Sequence, residues 1–274
     1  MQSRRKFLRA AAATVVTPFV GASRAGATQR TILNDASRLS PTPVAKHVTI
    51  SKPTLNDLIA RIRDELKEAA VSKRPVAASV ARHSMGGQSL PRDGTAITLE
   101  GGPLEMDTAA KTYRTSAGNR WSDVIRMLDP KGFSPAVMQS NSDFGVGSTF
   151  CVNAHGWPVP HGPFGSTVKA IRMVLADGTL VQCSRNENAE LFTLAMGGYG
   201  LFGISVELDV EMTPNLLLEP KFERMSPERF APSWIRKGGC SDCSISTSTR
   251  MRFTWLRGSG HWPRPVRDEA RCSS

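Results

Sequence analysis

Three glycine-rich segments, residues 82–87, 139–162 and 197–204, interrupt the middle of this sequence. Glycine lets a backbone approach a ligand closely, and successive N–H groups in a glycine-containing turn can bind an anion. One such segment alone indicates a surface turn. Three of them within one stretch of otherwise globular sequence favour a long ligand, such as a dinucleotide, that touches several loops at once.

The first segment combines groups that suit a pyrophosphate. It follows an apolar run over residues 75–81, which is typical of a short buried strand, and it consists of Arg82, His83, Ser84, Met85, Gly86 and Gly87. The serine adds a hydroxyl donor to the backbone donors of the turn. Taken by itself, however, this segment is better explained as a surface turn with an incidental histidine.

The positive charge of the chain is concentrated at its two ends. The 274 residues carry a formal charge of +11, but residues 1–27 hold five basic and no acidic side chains, and residues 231–274 hold eight basic and three acidic ones. Residues 28–230 keep 22 basic against 21 acidic side chains. Because a nucleic-acid-binding domain carries a basic face, this nearly neutral middle argues against nucleic acid as a partner.

Residues 1–27 have the layout of an export signal. A basic start precedes an apolar run over residues 10–22, and a small-residue site ends at Ala27. The run is too short and too rich in alanine for a membrane span. Residues 3–8, Ser-Arg-Arg-Lys-Phe-Leu, resemble the twin-arginine motif that the export machinery reads. We therefore expect a bacterial periplasmic or secreted protein, with a basic, disordered N-terminus as the alternative.

The character of the sequence changes near its other end. Residues 231–274 hold three of the five cysteines and three of the five tryptophans, and no regular period lasts more than one turn. This shift is typical of a reading-frame error or a truncation, and a disordered tail is the alternative. Cys240 and Cys243 have the spacing of a redox or metal pair, but without a second pair they do not predict a site.

The pattern of apolar residues predicts an α+β fold. Thr54 can cap a helix whose apolar stripe recurs from Leu55 to Ala69. Two apolar runs around Asp177 and Gly178 predict a β-hairpin, residues 186–196 predict a helix, and residues 203–212 alternate as a final strand. Because helices mix with at least one antiparallel strand pair, the pattern favours α+β over a doubly wound sheet.

Common nucleotide-binding and hydrolytic motifs are missing from the sequence. It contains no P-loop, no HExxH and no GxSxG pattern. The glycines of residues 200–203 precede a strand rather than a helix, so they do not form a Rossmann fingerprint.

The three glycine-rich segments together resemble one known domain. "ARHSMGGQ", "STFCVNAHG" and "GGYGLFGISVELDV" occur in this order and are similar to the FAD-binding domain (p-cresol methylhydroxylase type) of the vanillyl-alcohol-oxidase-like flavoproteins. They look most like the branch with alditol and aldonolactone oxidases. The resemblance covers residues 38–215 and implies two α+β subdomains with FAD extended between them. Residues 28–37 are then a linker, and residues 216–230 the start of a substrate or cap domain.

The resemblance also implies which residues contact FAD. The segment 82–87 would wrap the pyrophosphate, and its His83 would carry FAD covalently or, as in other members, only bond nearby. The second segment would offer Ser140, Gly147 and Ser148 to the pyrophosphate and ribitol, and Asn153, His155 and Gly156 to the flavin. Gly203 and Ile204 would offer backbone contacts to the cofactor.

The activity implied by the resemblance is oxidation of an alcohol, polyol or sugar lactone. Relatives remove a hydride from the C–H bond beside a hydroxyl, deliver it to flavin N5 and pass the electrons to oxygen or another acceptor. The sequence identifies no catalytic base. Two alternatives stay open: a flavin-binding but catalytically incomplete domain without its cap, and a branch that reduces enolpyruvyl groups, which the export signal disfavours.

Overall fold

The computed structural model describes residues 31–156 and 161–215, together with Ser226 and Glu228. These residues form eleven strands and four helices in the order β1 (Thr31–Leu33), β2 (Thr42–Val44), β3 (Lys46–Ser51), α1 (Leu55–Val71), β4 (Val76–Ser79), β5 (Thr95–Glu100), β6 (Leu104–Asp107), β7 (Thr112–Ser116), α2 (Trp121–Leu128), β8 (Phe133–Pro135), α3 (Val146–Cys151), β9 (Val168–Val174), β10 (Leu180–Ser184), α4 (Ala189–Ala195) and β11 (Ile204–Pro214). None of these helices is long and apolar enough to cross a membrane. The expected export signal and C-terminal tail lie outside the described residues, as does the expected start of a cap domain apart from Ser226 and Glu228.

The first sheet has three parallel strands in the order β3, β5, β4. Parallel neighbours need a long crossover, and α1 provides it between β3 and β4. Thr54 caps this helix by accepting a hydrogen bond of 3.2 Å from the backbone N–H of Asp57, which confirms the predicted cap. The buried side chains of Leu58 and Ile62 pack with Ile97 of the central strand.

The second sheet is antiparallel, in the order β10, β9, β11, β7, β6, and β8 pairs with the far end of β11. The predicted hairpin is present as β9 and β10, and Gly178 of its turn has a φ of +86°. The core beneath this sheet is built from aromatic side chains that are almost fully buried, namely Trp121, Phe150, Phe164 and Phe192.

Helix α1 contacts both sheets. Its buried residues share one apolar cluster with Val174 of β9 and Val206 of β11. The guanidinium of Arg63 donates a hydrogen bond of 2.8 Å to the carbonyl of Gly178, in the hairpin of the second sheet. The helix therefore fixes the first sheet against the second.

The α+β class predicted from the sequence is confirmed, and one predicted helix is shorter than expected. Residues 186–196 predict a helix, but α4 begins at Ala189 because Asn188 adopts a left-handed φ of 48°. The N–H groups of Asn186 and Glu187 bond instead to the hydroxyl of Ser184, which closes a turn.

Candidate cofactor-binding site

The first glycine-rich segment leaves the end of β4 with a sharp change of direction at Arg82. This residue has a φ of +51°, a conformation that costs free energy for a residue with a side chain. Its carbonyl accepts a 2.8 Å hydrogen bond from the N–H of Ala36. Its guanidinium donates to the hydroxyl of Thr98 at 3.0 Å. The positive charge of Arg82 is therefore held at the first sheet.

A buried carboxylate, that of Asp35, closes the turn that follows. Its Oδ2 accepts from the hydroxyl of Ser84 at 2.9 Å and from the N–H of Gly87 at 2.7 Å. Its Oδ1 accepts from the hydroxyl and the N–H of Ser37, at 2.6 and 3.1 Å. The bond from the Ser37 hydroxyl, aided by those from Gly87 and Ser84, lowers the pKa of Asp35 to about 2. Asp35 is therefore an anion near neutral pH.

The backbone of the same segment retains unused donors. The N–H of Gly86 is bonded to the side chain of Gln88 and that of Gly87 to Asp35. By contrast, no group in the described part of the chain accepts from the N–H of His83, Ser84 or Met85. Three successive free N–H groups beside a glycine pair are suited to binding an anion.

His83 connects the first glycine-rich segment to the second. Its Nε2 lies 2.7 Å from Oδ2 of Asp143, and its ring meets the edge of Phe144 with centroids 4.4 Å apart. Arg120 forms an ion pair with the other oxygen of Asp143. The hydrogen bond from His83, together with Arg120, lowers the pKa of Asp143. An ionised carboxylate can only accept, so Nε2 of His83 carries the proton of this hydrogen bond.

The second glycine-rich segment is held by the residues that start α2. The N–H groups of Trp121 and Ser122 donate to the carbonyls of Phe144 and Ser142, and Val146 donates to Asn119. These backbone bonds set the position of Asp143. They also place the short helix α3 directly against the ends of β4 and β7.

The glycines of the second segment allow close packing. A Cβ on Gly145 would lie 2.4 Å from Cβ of Val80, and one on Gly147 would lie 2.7 Å from Cβ of Ala117. The N–H of Gly147 donates to the carbonyl of Ala117. A Cβ on Gly156 would lie 2.7 Å from the carbonyl oxygen of Met138. Gly145 and Gly147 are therefore needed for the contact between α3 and the ends of the strands, and Gly156 is needed for the close approach to Met138.

The third glycine-rich segment lies against the second. The N–H of Tyr199 donates to the carbonyl of Cys151 at 2.8 Å, and that of Gly197 donates to the carbonyl of Phe150. Asn153, with a φ of 45°, accepts from the N–H of Gly165. Gly203, with a φ of +151°, leads into β11, where Ile204 pairs with Val174.

Contacts thus connect the three glycine-rich segments. The first segment meets the second through His83, and the second meets the third through α3. Met85, Gly86, Ser140 and His155 are exposed and Ser148 is half-buried, whereas Gly147 is buried against Ala117.

Three residues of the site carry no signal that marks them in the sequence. Asp35 lies in the expected linker, and its burial depends on contacts with residues about fifty positions away. Neither Arg120 nor Asp143 is among the residues that the sequence predicts to contact FAD. Their meeting at His83 depends on the packing of α2 and α3, which no local pattern predicts.

Comparison with known sequences gives one family match. Residues 58–184 match the family described as FAD binding domain. L-gulonolactone oxidase of Mus musculus is 29% identical over 155 residues, which are 56% of this chain and 33% of that protein. Alditol oxidase of a Streptomyces species is 27% identical over 195 residues, 70% of this chain and 43% of that protein.

A plant enzyme is similar to a comparable part of the chain. Cytokinin dehydrogenase 8 of Oryza sativa subsp. indica is 28% identical over 198 residues, 63% of this chain and 37% of that protein. The matched region of this chain thus spans well under half the length of each of these curated relatives.

Proposed function

We propose that residues 58–184, which match the family described as FAD binding domain, belong to a domain of the p-cresol methylhydroxylase type, and that FAD lies along the surface formed by the three glycine-rich segments. The free N–H groups of residues 83–85 support this placement, since they would hold the pyrophosphate. The second and third segments would line the ribitol and the flavin, with Asn153, His155 and Gly156 beside the ring and Gly203 and Ile204 offering backbone contacts.

The donor set fits a dinucleotide better than an isolated phosphate. The first segment offers backbone N–H groups and His83. The second segment is bonded to it through Asp143, and the third is bonded to the second at Phe150 and Cys151. Ser148 is half-buried, and its hydroxyl has no partner among the described residues. It would donate to the ribitol or the pyrophosphate. A ligand that contacts all of these groups has to be elongated.

The activity we propose is the oxidation of an alcohol, of the polyol or sugar-lactone type. FAD supplies an acceptor, flavin N5, for a hydride from the C–H bond beside the substrate hydroxyl, and oxygen or another acceptor then takes the electrons. The names of two relatives, an L-gulonolactone oxidase and an alditol oxidase, support this substrate class. The role of the described residues is to bind and orient the cofactor.

We further propose that His83 attaches the flavin covalently through Nδ1. Asp143 holds a proton on Nε2, so whenever the imidazole is in its neutral form its Nδ1 lone pair is available as the nucleophile. The new bond would join Nδ1 to the 8α methyl carbon. The methyl carbon would lose one proton and the imidazole the other, from Nε2 to Asp143, and oxygen would take these two protons and the two electrons as hydrogen peroxide.

The flavin proposals are tested with the full chain, expressed with its N-terminal segment and supplied with FAD. We expect a yellow protein that absorbs near 450 nm and produces peroxide with polyols or aldonolactones. A yellow protein without turnover would support the alternative of a flavin-binding but catalytically incomplete domain, and a colourless protein would refute both. Acid precipitation tests the covalent bond: flavin should stay in the wild-type pellet and be released from H83A.

We also propose export through the twin-arginine pathway, as the layout of residues 1–27 indicates. Replacement of Arg4 and Arg5 by lysine should retain the protein in the cytoplasm of a bacterial host. The wild-type chain should reach the periplasm in the same fractionation experiment. Equal distribution of the two proteins would contradict this proposal.

A further inference from the structure

We propose that Asp35 is a positioning residue for the cofactor, acting through the first glycine-rich segment. This inference rests on the proposed function, because it concerns how the pyrophosphate site is shaped. Asp35 is only 3% exposed, and its carboxylate makes four hydrogen bonds, two of them with residues of that segment.

The carboxylate bridges the two ends of a turn that would otherwise be free to move. Oδ2 joins the hydroxyl of Ser84 to the N–H of Gly87, so residues 84–87 curve around a single oxygen atom. The turn contains two adjacent glycines, and glycine is the residue with the greatest backbone freedom to lose on ordering. A fixed anionic acceptor inside the turn removes most of that freedom before the ligand arrives.

The neighbouring residues strengthen the same attachment. The N–H of Ala36 bonds to the carbonyl of Arg82, and the hydroxyl of Ser37 lies 3.2 Å from the carbonyl oxygen of Met85. Residues 35–37 therefore bond to both ends of the segment and to its middle. Asp35 accepts from the Ser84 hydroxyl and the Gly87 N–H, and Ser37 lies against the Met85 carbonyl. The N–H groups of residues 83–85 have no acceptor among the described residues and are therefore available to the ligand.

The negative charge of Asp35 and its hydrogen bonds have opposite effects on pyrophosphate binding. A carboxylate near a pyrophosphate repels it, so removal of the charge alone would strengthen binding. However, all four hydrogen bonds disperse this charge onto donors of the protein, and the turn loses its shape without them. We infer that the ordering of the turn outweighs the repulsion, because a preorganised site loses less conformational entropy when the ligand binds.

The test measures FAD affinity by quenching of flavin fluorescence in the full chain with and without D35N, both in the H83A background, where the proposed covalent bond cannot form. The amide introduced by this substitution presents an N–H₂ group where Oδ2 accepts two bonds, so we expect the Kd for FAD to rise about tenfold or more. Riboflavin, which lacks the pyrophosphate, should bind both proteins within about twofold. A general loss of folding would weaken both ligands alike, so the ratio of the two changes isolates the pyrophosphate site.

Two further variants complete the design. D57N makes the same change of charge at an exposed helix cap, and it should bind FAD as the wild type does. S37A keeps the carboxylate of Asp35 but removes one of the groups that donate to it. We expect this variant to raise the Kd for FAD about threefold. It replaces D35N in the test if D35N does not fold. Equal FAD affinity of D35N, or of S37A where D35N cannot be folded, would overturn the role of Asp35 while the flavin proposal stands. A wild-type chain that binds no FAD would overturn both.

Discussion

At the scale of single residues, Asp143 determines which imidazole nitrogen of His83, the proposed flavin attachment residue, carries the proton. Its carboxylate holds His83 on one side and Arg120 on the other, although the three residues lie in separate parts of the sequence. The hydrogen bond from His83 and, after it, that from Arg120 lower the pKa of the Asp143 carboxyl, and the ionised carboxylate in turn keeps the proton of its hydrogen bond on Nε2 of His83. Arg120 thus influences the proposed attachment without contacting the histidine.

We predict that D143N abolishes the proposed covalent attachment while flavin binding persists. An asparagine can present its N–H₂ group to Nε2, which favours the imidazole tautomer with the proton on Nδ1 and so removes the nucleophile. Flavin should then be released by acid precipitation, as from H83A. D123N, at the start of α2, is the matched control and should retain the flavin. Retention of flavin in D143N would contradict the role given to the tautomer.

The lowered pKa of Asp143 predicts how the stability of the folded protein depends on pH. The folded state lowers the pKa of Asp143 below its ordinary value of 3.8, chiefly through the bond with His83. Its contribution to stability is therefore complete above that ordinary value and is lost as the pH falls below it. The difference in melting temperature between wild type and D143N should be small, because the site is half-exposed. This difference in melting temperature, followed by circular dichroism, should become smaller between pH 5 and pH 3. A difference that grows in acid would contradict the stabilising role of the ionised Asp143.

Tyr113 provides a second prediction at this scale. It is 1% exposed in the core below the second sheet, its hydroxyl has no partner among the described residues, and burial raises its pKa. Removing an unsatisfied buried hydroxyl is neutral or stabilising, by up to about 1 kcal/mol. Urea unfolding of Y113F should show this, with Y199F at an exposed position as the control. A clear loss of stability in Y113F would reveal a partner for the hydroxyl.

At the scale of the elements, sequence patterns predicted those parts whose determinants are local. The cap at Thr54 and the hairpin turn at Gly178 depend on a few adjacent residues, and both are present. The strand pair β1 and β2 and the helix α3 were not predicted. Each is very short, and α3 depends on glycines that fit against Val80 and Ala117, which are distant in sequence.

Gly145 gives the prediction for this scale. A methyl group there would lie 2.4 Å from Cβ of Val80, which belongs to the backbone-proximal part of a buried side chain and cannot rotate away. We expect G145A to lose about 1–3 kcal/mol of unfolding free energy, the usual cost of overpacking. Gly162 is exposed, and its nearest neighbour would be 3.5 Å from the added methyl, so G162A should change stability little. Equal stability of G145A and G162A in urea would show that the packing adjusts.

At the scale of the whole molecule, α1 couples the two sheets and so sets the distance between the glycine-rich segments. The first segment follows a strand of the first sheet, whereas the third leads into a strand of the second. The role of α1 in joining the two sheets was not predictable from the sequence. The apolar stripe of the helix indicates that one of its faces is buried, but it does not indicate that this face packs against two sheets. The order of the three segments was sufficient to predict the FAD binding domain that residues 58–184 match.

Ile62 tests this coupling. It is fully buried in the cluster that joins α1 to both sheets, so I62A should lose about 2–5 kcal/mol of unfolding free energy. Val71 lies on the same helix but is 88% exposed, and V71A should remain within about 0.5 kcal/mol of the wild type. The FAD affinity of I62A should fall together with its stability. An I62A protein that is as stable as V71A would contradict the coupling.

The bond from Arg63 to the hairpin and the apolar cluster around Ile62 have a consequence for the speed of cofactor uptake. Because the two halves of the site are already fixed to each other, no slow closing step has to follow the first encounter with FAD. Stopped-flow traces of H83A, in which the proposed covalent bond cannot form, should therefore show a single phase whose rate rises linearly with FAD concentration and does not level off.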